Sequence, residues 1–213
     1  IFGGTGSGKS TLINLIPRFY DVTQGSVEVD GRNVKDYSFK QLRKQIGIVP
    51  QQSILFKGTI RDNMKWENPD LSDEDIITAL KNAQAYEFVS KLPMGLDSHV
   101  EQGGKNFSGG QRQRLCIARA IAAQPKVLIL DDSFSALDFA TDAALRKALS
   151  QYTHEMTVII VTQRCSTIMN SDLILVLDDG MLVGKGTHKE LLKNCETYKE
   201  ICLSQLSKSE VEV

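Results

Sequence analysis

Short apolar runs alternate with longer segments in which apolar residues recur at helical spacing, and this alternation is the first structural signal in the chain. Ile1 and Phe2 read as the end of a strand and run at once into a glycine-rich stretch. The helix that follows carries Leu12, Ile13, Leu15 and Ile16, and Pro17 kinks or ends it. Residues 25–30 alternate apolar and polar as a strand does, and Asp30-Gly31 closes a turn. A short helix is predicted over 39–44 and a buried strand over 46–49. From about 53 to 125 helices dominate, at 72–82, 86–91 and 111–123. Strands at 127–130, 157–161 and 173–177 then alternate with helix, the helix at 140–152 lying between the first two. Asp179-Gly180 is a hairpin signal leading into 181–183, and helices at 188–193 and 197–206 precede a solvated tail over 207–213.

Strands alternating with helices predict an α/β fold with a mainly parallel sheet covered on both faces. The block over 53–125 reads as a helical subdomain inserted into a core made of 1–52 and 126–213, the whole of 1–213 forming one domain. The abrupt entry into the glycine stretch predicts an N-terminally truncated piece of a longer chain.

Composition narrows the function classes. The 213 residues are 41% hydrophobic and 24% charged, ordinary for a globular protein. A formal net charge of −1 offers no basic surplus for a nucleic-acid partner. The apolar runs at 127–130 and 158–161 are far too short to span a bilayer, and no signal peptide is expected. Cys116, Cys165, Cys195 and Cys202 lack zinc or CxxC spacing and are expected as free thiols in a reducing compartment. The three histidines are scattered.

Chemistry concentrates first at Gly3-Gly4-Thr5-Gly6-Ser7-Gly8-Lys9-Ser10-Thr11, a full match to G-x-x-x-x-G-K-[ST]. The glycines let successive backbone N–H groups turn inward around a phosphate. Lys9 reaches the β- and γ-phosphates, and the Ser10 hydroxyl can hold magnesium. The apolar run at 127–130 then delivers Asp131, where a doubly wound sheet places its ligand chemistry. In a phosphate-loop enzyme that carboxylate holds the magnesium shell through water.

Asn106-Phe107-Ser108-Gly109-Gly110-Gln111-Arg112 resembles the signature sequence of ABC transporter ATPases, and nearly the whole chain follows that family's motif order. Gly47-Ile48-Val49-Pro50-Gln51 is similar to the Q-loop, and Ser135-Ala136-Leu137-Asp138 to the D-loop. Glu101-Gln102-Gly103-Gly104, the stretch from Asp179-Gly180 to Gly186-Thr187-His188, and the last helix through Tyr198 resemble the exporter branch. The signature also makes physical sense alone: Ser108 and Gln111 have capping-box spacing, and the two glycines leave the helix start open to an anion.

The resemblance implies a P-loop NTPase, RecA-like core that binds ATP and Mg2+, hydrolyses ATP to ADP and phosphate, and couples this to export. Gln51 would contact the metal or the attacking water, and Ser10, Gln51 and Asp131 form the metal set, Asp131 through water. The signature residues, Phe107 to Gln111, would complete a nucleotide site on a second nucleotide-binding domain packed head to tail. Transmembrane domains would be the other partners, at the cytoplasmic face of the membrane. Asp138 would stand at the dimer interface, although the same residue suits a helix N-cap before Ala140.

Two positions depart from the family. Asp132 stands where the general base is Glu, and Gln163, in Val161-Thr162-Gln163-Arg164, stands where the switch residue is His. Asp is one methylene shorter, and Gln carries no imidazolium charge. Both weaken the same step, so the chain resembles the half of a heterodimeric exporter whose own site is slow while its intact signature serves the partner. A regulatory ATP-binding clamp is the alternative. Structural-maintenance ATPases share the signature but need a long coiled coil, and here only about 100 residues without heptads separate loop and signature. Trp66 and Phe88 are expected as packing or coupling surface, Tyr20 as structural, and Gln52 has no assigned role.

Overall fold

The computed structural model describes residues 1–153 and 156–207, so all of the expected tail beyond Ser207 lies outside the described residues. The chain divides into two compact units, Ile1–Phe39 with Ile159–Val213, and Lys40–Val158.

In the first unit Phe2 is fully buried and bridges in parallel to both Thr162 and Val176. Its N–H donates to the Leu175 carbonyl at 2.8 Å and its own carbonyl accepts from the Leu177 N–H at 2.8 Å. The strand Ile174–Asp178 pairs antiparallel with Met181–Gly186. Asp179 and Gly180, at φ 45° and 76°, supply the left-handed pair that such a hairpin turn demands. The helix His188–Asn194 starts on a Thr187–Glu190 capping box, and Glu196–Gln205 follows it. Phe2, Ile168, Ile174, Val176, Leu191 and Tyr198 form the core beneath them. Tyr198 is entombed there with its hydroxyl 2.7 Å from His188 Nδ1, and burial pushes its phenol well above the usual range.

The expected strand over 25–30 is shorter. Glu28–Val29 pairs with Arg32–Asn33, Val34 N–H adds one in-register bond to the Val27 carbonyl at 2.9 Å, and the ladder ends where Asn33 caps a tight turn over Val34–Asp36.

The cysteine expectation is corrected for one pair. Cys165 and Cys202 are joined by a disulfide, while Cys116 and Cys195 are free and buried. The short helix Cys165–Ile168 packs on Glu196–Gln205 and sets the two Cα atoms 5.4 Å apart, inside the span of a disulfide. A separation of 37 residues carries no spacing signal that could have paired them. Closing a loop of that length restricts the unfolded chain, so Cys202→Ser is expected to lower stability by about 2–4 kcal/mol. Urea unfolding of the oxidised protein checks this; an unchanged midpoint would show that the cross-link constrains nothing.

In the second unit Ile46–Val49 pairs in parallel with Val127–Asp131, Ile46 opposite Val127 and Val49 opposite Leu130. Leu128, Ile129 and Leu130 are fully buried, as a parallel strand covered on both faces requires. The helix Gly109–Ala122 lies so close that a Cβ on Gly47 would come within 2.8 Å of the Ala120 carbonyl. Helices Ile60–Met64 and Asp73–Asn82 each begin on a full capping box, at Thr59 and Ser72. Trp66 stacks on Phe56 at 4.1 Å yet is 60% exposed, and Phe88 leans on Phe107 with the Arg114 guanidinium over its ring. Among the described residues no helix is long and apolar enough to cross a membrane.

Candidate functional site

The loop from Gly3 to Lys9 is a backbone cradle. Gly6 and Gly8 have φ of 80° and 90°, a conformation that favours glycine, and open space surrounds Gly4 and Gly6 where side chains would otherwise stand. Lys9 turns back over the loop: its Nζ donates to the carbonyls of Gly3 at 3.0 Å and Gly4 at 2.5 Å, and to Ser7 Oγ at 3.3 Å. An ammonium held among carbonyls at the loop's mouth fits an anion that would replace those weak acceptors. Thr11 and Ser10 are exposed on the first turn of the helix Lys9–Asn14.

Gly3 has a separate, steric role. A Cβ there would lie 2.1 Å from the Leu177 carbonyl and 2.7 Å from Ser7 Oγ. Neither backbone oxygen nor buried Ser7 has room to withdraw, so Gly3→Ala is expected to destabilise the protein by about 3 kcal/mol or more. Thermal unfolding reads the effect; a melting temperature within a degree of the parent would refute the close approach.

Gln163 belongs to the same unit as this loop, and its side chain meets the loop directly. Thr5 Oγ1 donates to Gln163 Oε1 at 3.1 Å. The motif pattern marked both residues but did not pair them. The exposed Gln163 amide thus stands beside the phosphate cradle with a donor group to offer.

In the second unit, Asp131 ends its strand and Asp132 follows at φ 46°, a left-handed conformation that Asp tolerates better than most residues. Buried Ser133 fixes this turn by donating to the Val49 carbonyl at 3.1 Å, and Ser135 Oγ donates to the Asp132 carbonyl at 2.9 Å. Gln51 is exposed in the bend just after Ile46–Val49. The same parallel pair therefore carries Gln51 and Asp131 at neighbouring strand ends. Ser10 in the first unit, and Gln51 and Asp131 in the second, each offer oxygen, the ligand type that magnesium takes.

Ser108 caps Gly109–Ala122 as its spacing with Gln111 predicts. Gln111 N–H donates to Ser108 Oγ at 3.3 Å, and Ser108 N–H donates to Gln111 Oε1 at 3.0 Å. Phe107 is buried, whereas Ser108 and Gly109 are exposed and a Cβ on Gly109 would meet nothing within 4 Å. The segment Ser135-Ala136-Leu137-Asp138 packs beside this helix start, the Ala136 carbonyl lying 3.4 Å from a Cβ built on Gly110. Asp138 caps Phe139–Tyr152: Thr141 N–H donates to its Oδ1 at 3.0 Å and Thr141 Oγ1 to its Oδ2 at 2.7 Å. The Thr141 amide, and then its hydroxyl, hold the Asp138 carboxyl below the usual carboxylate range. Sequence reasoning passed over Arg114, which braces the signature helix by donating to the Gln84 carbonyl at 2.7 Å.

The family profile described as ABC transporter matches residues 1–135. The chain belongs to the ABC transporter family. An uncharacterized ABC transporter ATP-binding protein of Bacillus subtilis is 48% identical over 208 residues, covering 98% of this chain and 36% of that protein. A Staphylococcus aureus protein named as an ATP-binding/permease protein of multidrug export is 45% identical over 199 residues, 93% of this chain and 34% of its own. Among solved structures, a bacterial Atm1-family ABC exporter with ATP bound superposes with a TM-score of 0.92 at 36% identity, over 98% of this chain and 36% of that one. This ABC chain therefore spans about a third of the length of the relatives it matches, and its α/β architecture with parallel pairing is theirs.

Proposed function

We propose that this chain is the ATP-binding and ATP-hydrolysing domain of a membrane exporter, working at the cytoplasmic face of the membrane, with a slow site of its own. The observation that carries the reading is the phosphate cradle, in which left-handed Gly6 and Gly8 open the backbone and Lys9 Nζ turns back over the loop to the Gly3 and Gly4 carbonyls. The exporter likeness of its relatives supports the transport role.

Lys9 and the loop amides from Gly3 to Thr11 bind and orient the phosphates. Magnesium, when bound, would supply charge neutralisation to the phosphates, and Ser10, Gln51 and, through water, Asp131 would hold it. Asp132 accepts the proton of the attacking water, and Gln163 donates a hydrogen bond to the terminal phosphate. Phe107, Ser108, Gly109, Gly110 and Gln111 offer their open helix start to the nucleotide of a second domain packed head to tail, with Ser135 to Asp138 beside that interface. The exposure of Ser108 and Gly109 supports this assignment. The partner in this reading is a different ABC domain with Glu and His at the two altered positions, and transmembrane domains receive the motion. Residues 53–125 act as the helical subdomain that transmits it from the core of 1–52 and 126–213.

Asp132 and Gln163 together favour a second reading, a regulatory clamp that holds ATP without using it. Equilibrium binding of ATP with and without Mg2+, followed by single-turnover phosphate release, separates the two. The enzyme reading expects Mg-dependent binding and slow but complete release. Binding without release leaves the clamp, and no binding in the presence of Mg2+ removes both.

A further inference from the structure

We infer that Gln205, at the end of the last helix, is a positioning residue that holds the switch residue Gln163 against the phosphate loop; this rests on the reading of Gln163 given above. Gln205 brackets the switch segment with both ends of its amide. Its Nε2–H donates to the Gln163 carbonyl at 2.7 Å, and its Oε1 accepts from the Cys165 N–H at 2.9 Å. One side chain thus fixes the backbone on each side of Arg164. A second link runs in parallel. Cys202 lies three residues before Gln205, on the same face of the helix Glu196–Gln205, and its disulfide to Cys165 anchors that helix to the switch segment covalently. Thr162 closes the segment from the other side, its Oγ1 accepting from the Arg164 N–H at 3.0 Å.

The consequence lies at the Gln163 side chain. With its carbonyl and the next-but-one amide both tied to the helix, the residue has little backbone freedom, and its Oε1 stays within reach of Thr5 Oγ1 at 3.1 Å. The imidazole that other members of the family place here would bring its own rigid ring. A glutamine has three rotatable bonds in its side chain, so fixing its backbone does more of the work of orientation. The bracket is polar and specific, since the Gln205 amide donates from one end and accepts at the other.

Single-turnover hydrolysis by the full chain, with Mg-ATP affinity measured in parallel, tests the assignment. Gln205→Leu removes both hydrogen bonds at similar size. The single-turnover rate constant is expected to fall about tenfold, as a displacement of a fraction of an ångström implies, while affinity for Mg-ATP stays within about twofold. Gln163→Ala should lower the rate similarly, and the double variant should be no slower than Gln163→Ala alone, because Gln205 acts only through Gln163. Gln205→Glu keeps the acceptor but faces the Gln163 carbonyl with a second acceptor, and should be as slow as Gln205→Leu; it serves if the leucine variant fails to fold. Additive losses, or a Gln205→Glu variant at the parent rate, overturn the positioning role and leave Gln163 in place. A Gln163→Ala variant at the parent rate overturns the reading of Gln163 itself, and the positioning role with it.

Discussion

Replacing Asp132 by Glu and Gln163 by His together is expected to raise ATP turnover in a purified homodimer of this chain by about a hundredfold, because a displacement of roughly 1 Å at a reacting group costs that order of rate. In the proposed mechanism the added methylene would move the carboxylate toward the attacking water, and the imidazole would supply a group able to carry positive charge as the terminal phosphate leaves. The backbone modifies the size of the gain. Asp132 sits at φ 46°, where Asp is better tolerated than Glu, so Asp132→Glu alone surrenders part of its benefit to about 1–2 kcal/mol of backbone cost. Buried Ser133 and the Ser135 hydroxyl hold that turn from either side, which limits how far it relaxes. Gln163→His enters a place already defined by Thr5 and Gln205, and alone should give the larger share of the increase. Steady-state phosphate release decides it. A double variant as slow as the parent would mean that neither departure limits the site.

What was legible in the sequence was local. The Ser108–Gln111 box is a three-residue spacing, and the structure closes it with both hydrogen bonds. The run at 127–130 announces a strand covered on both faces, and it is one. Asp138 as a helix cap was equally readable, since the residue types and offset carry the mechanism. What stayed hidden depends on residues far apart. Cys165 meets Cys202 only because two helices pack, and nothing in their spacing announces it. Thr5 and Gln163 are 158 residues apart, and Gln205 lies 42 beyond Gln163, so neither contact has a period or motif to betray it. The left-handed turn at Asp132 is set by Ser133 reaching Val49, again a tertiary cause. The shortened strand at Glu28–Val29 shows the reverse failure, where a good alternating pattern outran a ladder that ends at the Asn33-capped turn over Val34–Asp36.

Ser108→Asp separates the two things that Ser108 could be doing. Asp is as good an N-cap as Ser, so the variant should keep the first turn of Gly109–Ala122 and unfold within about 0.5 kcal/mol of the parent. A carboxylate at that exposed position would nevertheless repel any phosphate presented to the helix start, in place of a hydroxyl that donates to it. If the signature serves the nucleotide of a second protomer, turnover of the assembled dimer should drop by about a hundredfold or more, the scale of losing one donor to a charged transition state. ATP binding by the phosphate loop of the same chain should stay within about twofold, because Lys9 and the loop amides are untouched. That combination of stable fold, intact binding and lost turnover has no explanation in capping alone. If Ser108→Asp turns over normally, the helix start faces no phosphate, and the half-buried Gly110 serves only to let Ala136 and Leu137 lie close.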